Sequence, residues 1–191
     1  MISRLIITIL IGNIIIFPCW NADAIDDAPD ELLEYKIKTA FLFNFAKFVD
    51  WPPNSFGDNS DQFKIGILSA PKLVTTAKML ANKSIKGGHV DVVFFDSLDE
   101  LIPCHMLFIG TDDKEQLGTI IQKFKHIPVL TVADTAGFAD QGGVINFIKV
   151  NNTIRFEINA KVAEEKKLKI SSRLLSLARI VTSPQSKGTN K

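Results

Sequence analysis

The middle of the chain alternates short apolar runs with amphipathic stretches, and this alternation constrains the fold more than any other feature. Runs with strand-type composition lie at 63–68, 90–95, 106–109 and 128–132. Stretches with helical spacing lie between them at 72–81 and 112–125. Neighbouring parallel strands need a crossover connection, and a helix usually supplies it. The sequence therefore predicts an α/β fold with a mostly parallel sheet flanked by helices.

The pattern changes in the last third of the chain. Two extended runs, 144–150 and 153–159, flank Asn151-Asn152, and asparagine tolerates the positive φ angles of a two-residue hairpin turn. In the second run apolar and polar residues alternate, as in a strand with one buried face. We expect an antiparallel C-terminal hairpin on the sheet, followed by helices at 160–167 and 173–181.

A phenylalanine-rich helix is predicted at 29–49, where Trp51-Pro52-Pro53 ends it because proline cannot continue a helix. This helix has more apolar residues than a single stripe along one face can hold. They are Leu33, Ile37, Ala40, Phe41, Phe43, Phe45 and Phe48. A helix of this kind is expected to be covered on more than one side, by the sheet and by a binding partner.

The first 24 residues have the features of a secretory signal peptide. Arg4 precedes a run of 13 mostly apolar residues, and Ala22 and Ala24 offer small side chains to a signal peptidase. The run is shorter than the ~20 apolar residues of a membrane-spanning helix, and a permanent anchor is the alternative interpretation. We expect a signal peptide at 1–24, export to the periplasm, one domain at 25–182 and a disordered tail at 183–191.

The composition is that of an ordinary globular protein, with 46% hydrophobic and 23% charged residues. A net charge of +1 gives no reason to expect nucleic acid as a partner. Residues 161–191 are locally basic but contain no interleaved aromatic residue, so we interpret them as a solvated helical face and a tail. The predicted mature chain keeps one cysteine, Cys104, which we expect to be buried with His105 on the opposite side of the strand.

Motifs of known active sites are absent from the sequence. It has no P-loop and no serine elbow, and its three histidines are scattered. We therefore expect no catalytic residue, no metal site and no cofactor. One loop does suggest a binding site, since 136–143 follows a strand end, where open α/β sheets usually place their ligands.

Polar residues of the hairpin are expected beside this loop. The simplest interpretation is that these polar residues form ion pairs within the protein. The alternative is that they bind an anion or polar groups of a partner. The candidate ligand-binding residues are Gly142, Gly143, Asn146, Arg155 and Asn159.

Several runs occur together in a characteristic order. The first is 34–48, which ends at Trp51-Pro52, and the later ones are 128–132, 142–147, 155–159 and 170–175. They resemble the YfiR-like family of periplasmic regulatory proteins. The resemblance implies a compact α/β fold, often dimeric, without known catalysis. It also implies repression of a membrane-bound diguanylate cyclase through its periplasmic part, as in the best-known member, although this sequence lacks the disulfide-forming cysteines of that member.

Our first hypothesis is a periplasmic regulator that binds the periplasmic domain of an inner-membrane signalling protein, with a homodimer left open. The candidate partner-binding residues are Phe41, Phe45, Phe48, Arg155 and Glu157. The alternative is a periplasmic small-molecule sensor or carrier that uses the 136–143 loop and Arg155.

Overall fold

The computed structural model describes residues 28–53, 55 and 61–182. The predicted signal peptide and tail therefore lie outside the described residues. The helices are α1 Ala28–Phe48, α2 Pro71–Ala77, α3 Lys114–Lys123, α4 Ala160–Glu165 and α5 Ser172–Leu175. The strands are β1 Val49–Asp50, β2 Gln62–Leu68, β3 Ser84–Ile85, β4 Gly88–Phe95, β5 Met106–Ile109, β6 Leu130–Ala133, β7 Ile145–Val150, β8 Thr153–Asn159, β9 Lys169–Ile170 and β10 Arg179–Val181.

Eight of these strands form one sheet in the order β10-β8-β7-β6-β5-β2-β4-β3. The run from β7 to β4 is parallel throughout, whereas β7 and β8 form an antiparallel pair. The predicted α/β fold with its C-terminal hairpin is thus confirmed. Asn151 and Asn152 make the hairpin turn with φ angles of 48° and 60°, as their tolerance of positive φ predicts.

Two hydrophobic cores lie on opposite faces of the sheet. Helices α1 and α2 cover one face, where Phe45 contacts Phe147 and Phe156 with ring centroids 5.6 and 4.9 Å apart. Helix α3 and the loop that follows β6 cover the other face through Leu117, Ile120 and other buried side chains. The small β1–β9 pair joins the end of α1 to the segment before α5.

The first parallel strand, β2, lies between β4 and β5 in the sheet. The chain passes from β2 through α2 to β4 in one direction, and from β5 through α3 to β6 in the other. The direction of winding therefore reverses between β2 and β5. In open α/β sheets, a crevice for ligands forms at the carboxyl ends of the strands at this kind of point.

The predicted final helix at 173–181 is wrong. Helix α5 ends at Leu175, and the chain then extends into β10, which pairs in parallel with β8. Strand pairing places Ile180 opposite Ile158 and Arg179 opposite Glu157. These tertiary contacts outweigh the helical spacing of the apolar residues, because local propensity is worth only a few tenths of a kcal/mol per residue. Among the described residues, the helices are too short or too polar to span a bilayer.

Candidate functional site

A polar cleft lies at the carboxyl ends of β2, β5 and β6, where the winding of the sheet reverses. Its volume is about 530 Å³, within the range of small-molecule sites. Helix α1 closes one side of the cleft with Glu34, Tyr35 and Lys38. Asp112 follows β5 and Asp134 follows β6, so the fold brings together carboxylates that are distant in the sequence.

Lys38 is the central charge of this cleft, although its side chain is only 5% exposed. Its Nζ lies 2.7 Å from a carboxylate oxygen of Glu34 and 2.7 Å from one of Asp134. Burial alone would lower the pKa of Lys38, but the hydrogen bonds with Asp134 and Glu34 outweigh it and raise that pKa. The ammonium also lies 4.6 Å from the ring centre of Tyr35, so it is held on several sides.

Glu34 accepts from two lysines. A second ammonium, that of Lys149, lies 3.1 Å from its other carboxylate oxygen. Burial would raise the pKa of Glu34, yet the hydrogen bonds from Lys38 and Lys149 outweigh burial and lower it. The carboxylate is therefore ionised at neutral pH and links α1 to both β7 and the cleft.

The floor of the cleft is backbone packed against backbone. A Cβ atom on Gly110 would lie 2.7 Å from the carbonyl oxygen of Ser69, so only glycine permits this approach. Three carboxylates, those of Glu34, Asp112 and Asp134, line the cleft with the two lysines Lys38 and Lys72. Lys72 is also paired with Glu31. The residues that line the cleft therefore carry an excess of one negative charge.

Sequence reasoning did not find this cleft. Asp112 and Asp134 both follow predicted strands of a parallel sheet, and carboxyl ends of parallel strands share one edge. This rule would have predicted that the two aspartates lie near each other. Lys38 gave no such signal, because its partner Asp134 is 96 residues away in the chain.

The predicted 136–143 loop is filled by its own side chains. Phe138 is completely buried, and a Cβ atom on Gly143 would lie 2.1 Å from its ring. Gly142 has a φ of 111°, a conformation that L side chains rarely adopt. Asn159 binds the loop, since its Nδ2 donates to the carbonyl of Ala139 at 2.8 Å. The glycines therefore permit tight packing of the loop against the sheet.

The polar face of the hairpin forms a row across three strands. Asn146 on β7 donates from Nδ2 to Glu157 on β8 at 3.2 Å, and Glu157 is paired with Arg179 on β10. Glu157 is only 2% exposed and Asn146 is fully buried. The row contains one ion pair, whose partner Arg179 sequence reasoning missed, whereas the buried Oδ1 of Asn146 has no hydrogen-bond partner among the described residues. Arg155 lies apart from the row at the exposed end of the hairpin.

An apolar groove lies between the second half of α1 and α5. It has a volume of about 280 Å³ and is lined by Phe41, Asn44, Phe48, Phe156, Arg173, Leu174 and Leu177. Leu177 is 66% exposed, and the guanidinium of Arg173 lies 5.5 Å from the ring centre of Phe48. Of the three candidate phenylalanines on α1, Phe41 and Phe48 therefore line a surface groove. Phe45 is completely buried in the core and is not available to a partner.

Cys104 is 1% exposed and is packed in the core on the α3 face, as predicted. Burial raises the pKa of its thiol to about 12, so the reactive thiolate does not form near neutral pH. His105 points to the other face, where its ring stacks on Phe63 at 4.6 Å and its Nδ1 accepts from the Lys64 amide. Burial lowers the pKa of His105 to about 4, so its ring is neutral at physiological pH.

Comparison with known proteins places these features in one family. A search of curated proteins finds no match. Within the part of the chain that the structure describes, no group of three or more histidine, cysteine, aspartate or glutamate side chains could hold a metal ion. The YfiR/HmsC-like family model matches residues 35–179, which run from within α1 to the first residue of β10. Proteins of this family are periplasmic regulators and are not known as enzymes. The chain belongs to the YfiR/HmsC-like family.

Proposed function

We propose that this protein is a periplasmic repressor of a membrane-bound diguanylate cyclase, and that it acts by binding the periplasmic sensor domain of that enzyme. Family membership supports a periplasmic regulatory role. The groove between α1 and α5 is the observation that favours a protein partner. It combines exposed Leu177 with the rings of Phe41 and Phe48 and with Arg173, and aromatic and arginine side chains are enriched at protein interfaces.

Repression of this kind is a matter of differential affinity. A bound regulator shifts the equilibrium between the active and inactive cyclase only by the difference between its affinities for the two conformations of the sensor domain. A preference of about 3 kcal/mol is enough for suppression of roughly a hundredfold. Catalysis by the regulator itself is not needed.

Deletion of the gene, followed by measurement of cellular cyclic di-GMP, tests the proposal. We expect the level to rise, and biofilm formation with it. Complementation with Leu177→Asp should fail to restore repression, because a carboxylate would be placed in an apolar contact. Met79→Asp is the matched control, since Met79 is similarly exposed at 61% but lies on the 3-10 turn after α2.

The control variant should repress like the unchanged protein, and both variants should be exported and folded to the same level. If deletion leaves cyclic di-GMP unchanged, the repressor hypothesis is refuted. If Leu177→Asp complements fully, the groove is not the contact surface.

The cleft at Lys38 favours a second function, that of a small-molecule sensor. A small organic cation suits the excess of carboxylates there, in contrast to the anion site expected near Arg155. Isothermal titration with putrescine, and with succinate as the anionic control, would test this. Binding of putrescine that is lost in Asp112→Asn supports the sensor function, and absence of heat with both compounds contradicts it.

A further inference from the structure

The sheet ends at β10, whose outer edge has no strand beside it among the described residues. Strand β10 pairs only with β8 within that part of the chain. Its outward-facing backbone groups therefore have no strand partner within those described residues. An unpaired edge is a template for addition of a further strand, and proteins that do not use such an edge usually cover or charge it.

This edge is continuous with the apolar groove. Ile180 pairs with Ile158, which places its side chain on the face of the sheet that α1 covers. It is 49% exposed, and Leu177 at the end of the groove precedes it by three residues. A strand added beside β10 would thus gain backbone hydrogen bonds and lay alternate side chains over Ile180 and Leu177.

The charge around the edge defines the chemistry of the incoming strand. Between residues 173 and 182 the chain carries Arg173 and Arg179 and no acidic residue. Arg179 pairs with buried Glu157, but its side chain is still 66% exposed. Arg173 is the charged residue among those that line the groove. Ile180 faces the groove, so its neighbour Arg179 faces the other side of the sheet, where the acidic side chains of an alternating incoming strand would complement it while the apolar ones meet the groove.

Two occupants from this chain fit the edge poorly. Residues 183–191, which lie outside the described residues, contain two lysines and no large apolar side chain. They therefore lack apolar side chains to fill the groove, and their positive charge does not complement that of the groove. A second copy that paired through the same edge would bring the same basic residues together on both sides of a twofold axis.

We propose that the β10 edge and the adjoining groove bind an extended segment of a different protein, one that alternates apolar and acidic residues and adds to the sheet as a further strand. This inference rests on the proposed function, because it specifies how the sensor domain of the membrane enzyme engages the groove.

Two synthetic peptides provide the probe, one alternating glutamate with valine and isoleucine, the other with lysine at every glutamate position. We expect the exported protein to bind the glutamate peptide at least about tenfold more tightly than the lysine peptide, with a preference that weakens as salt is added. Hydrogen exchange should slow at those backbone amides of Arg179–Val181 that point away from β8, because strand addition engages them.

Variants separate strand addition from side-chain contact and from misfolding. Ile180→Asp and Leu177→Asp should each lose glutamate-peptide binding, whereas Met79→Asp should keep it. Leu177 lies outside β10, so its variant does not depend on formation of that strand. Loss of binding in both edge variants, with native spectra, supports the proposal.

Several outcomes would overturn it. Equal affinity for the two peptides would show that charge does not select the incoming strand. Unchanged hydrogen exchange at Arg179–Val181 would show that the peptide does not add to the sheet as a strand. Binding that appears only after residues 183–191 are deleted identifies the tail as the occupant. A dimer that Ile180→Asp dissociates identifies a second copy. The cyclic di-GMP assay is a separate measurement, so failure of the peptide experiment leaves the repressor function standing. Failure of the repressor assay with intact peptide binding would remove the membrane enzyme as the partner but not the binding of a strand.

Discussion

Replacing Lys38 with methionine is the most informative single test of the electrostatics of this fold. The change removes a buried cation and leaves the carboxylates of Glu34 and Asp134 without their shared partner. At an effective dielectric constant near 20, two opposite unit charges 2.7 Å apart have a Coulomb energy of roughly 6 kcal/mol. Desolvation of the charges offsets much of that gain.

The two carboxylates are about a quarter exposed, and Glu34 keeps Lys149 as a partner. We therefore expect Lys38→Met to reduce the free energy of unfolding by about 3 kcal/mol at pH 7, the lower end for a broken buried pair. Lys36→Met is the matched control on the same helix. Because Lys36 is exposed, its replacement should change stability by no more than about 0.5 kcal/mol.

The pH dependence gives a second measurement. Because the pKa of Glu34 is lowered in the folded protein, its ionisation contributes stability above the ordinary value of 4.5, and this is lost as pH falls through the folded pKa. The cost of Lys38→Met should therefore be full at pH 7 and smaller below pH 4.5. Urea denaturation of both variants at neutral and acidic pH measures it. Equal costs for the two variants, or a cost independent of pH, would refute the reasoning.

Three further results are expected. Gly143→Ala should destabilise the protein by about 3 kcal/mol in urea denaturation, because the new Cβ would overlap the ring of Phe138. The control Gly118→Ala has open space and should stabilise α3 by about 0.5–1 kcal/mol, so similar effects of the two changes would contradict the packing argument. Cys104→Ala should cost about 1 kcal/mol and keep repression, and the native thiol should resist labelling; rapid modification would show that it is accessible. Intact-mass measurement of periplasmic material should give a chain that begins at or near Ile25, and a full precursor mass would exclude cleavage there.

The regular elements followed from local patterns, since their signals lie within a few residues. The wholly apolar run at 106–109 became β5 with unchanged limits, and Asn151-Asn152 formed the expected turn. Long-range contacts decided the rest. Leu177 and Ala178 suit a helix by spacing, but the buried carboxylate of Glu157 and the free edge of β8 draw the following residues into a strand.

The same difference between local patterns and long-range contacts applies to the candidate sites. Phe41, Phe45 and Phe48 were all predicted as candidate partner-binding residues because α1 has more apolar residues than one stripe can hold, and only Phe41 and Phe48 line the groove. Spacing alone could not separate them from Phe45, whose burial depends on which side of α1 meets β7 and β8. Similarly, no local feature linked Lys38 to Asp134, because their pairing arises only when the sheet brings the end of β6 beneath α1.

The position of β10 in the chain has a consequence for biosynthesis. Polypeptides are made from the amino terminus, so Arg179–Val181 is synthesised after every other described element. Until it arrives, Glu157 lacks its guanidinium partner, and burial of this carboxylate unpaired would cost several kcal/mol. A nascent or prematurely ended chain would also lack Leu177 and the outer strand. Competence for partner recognition would then be acquired only at the completion of translation and export, and truncated products would be exposed to proteolysis before they could occupy a receptor.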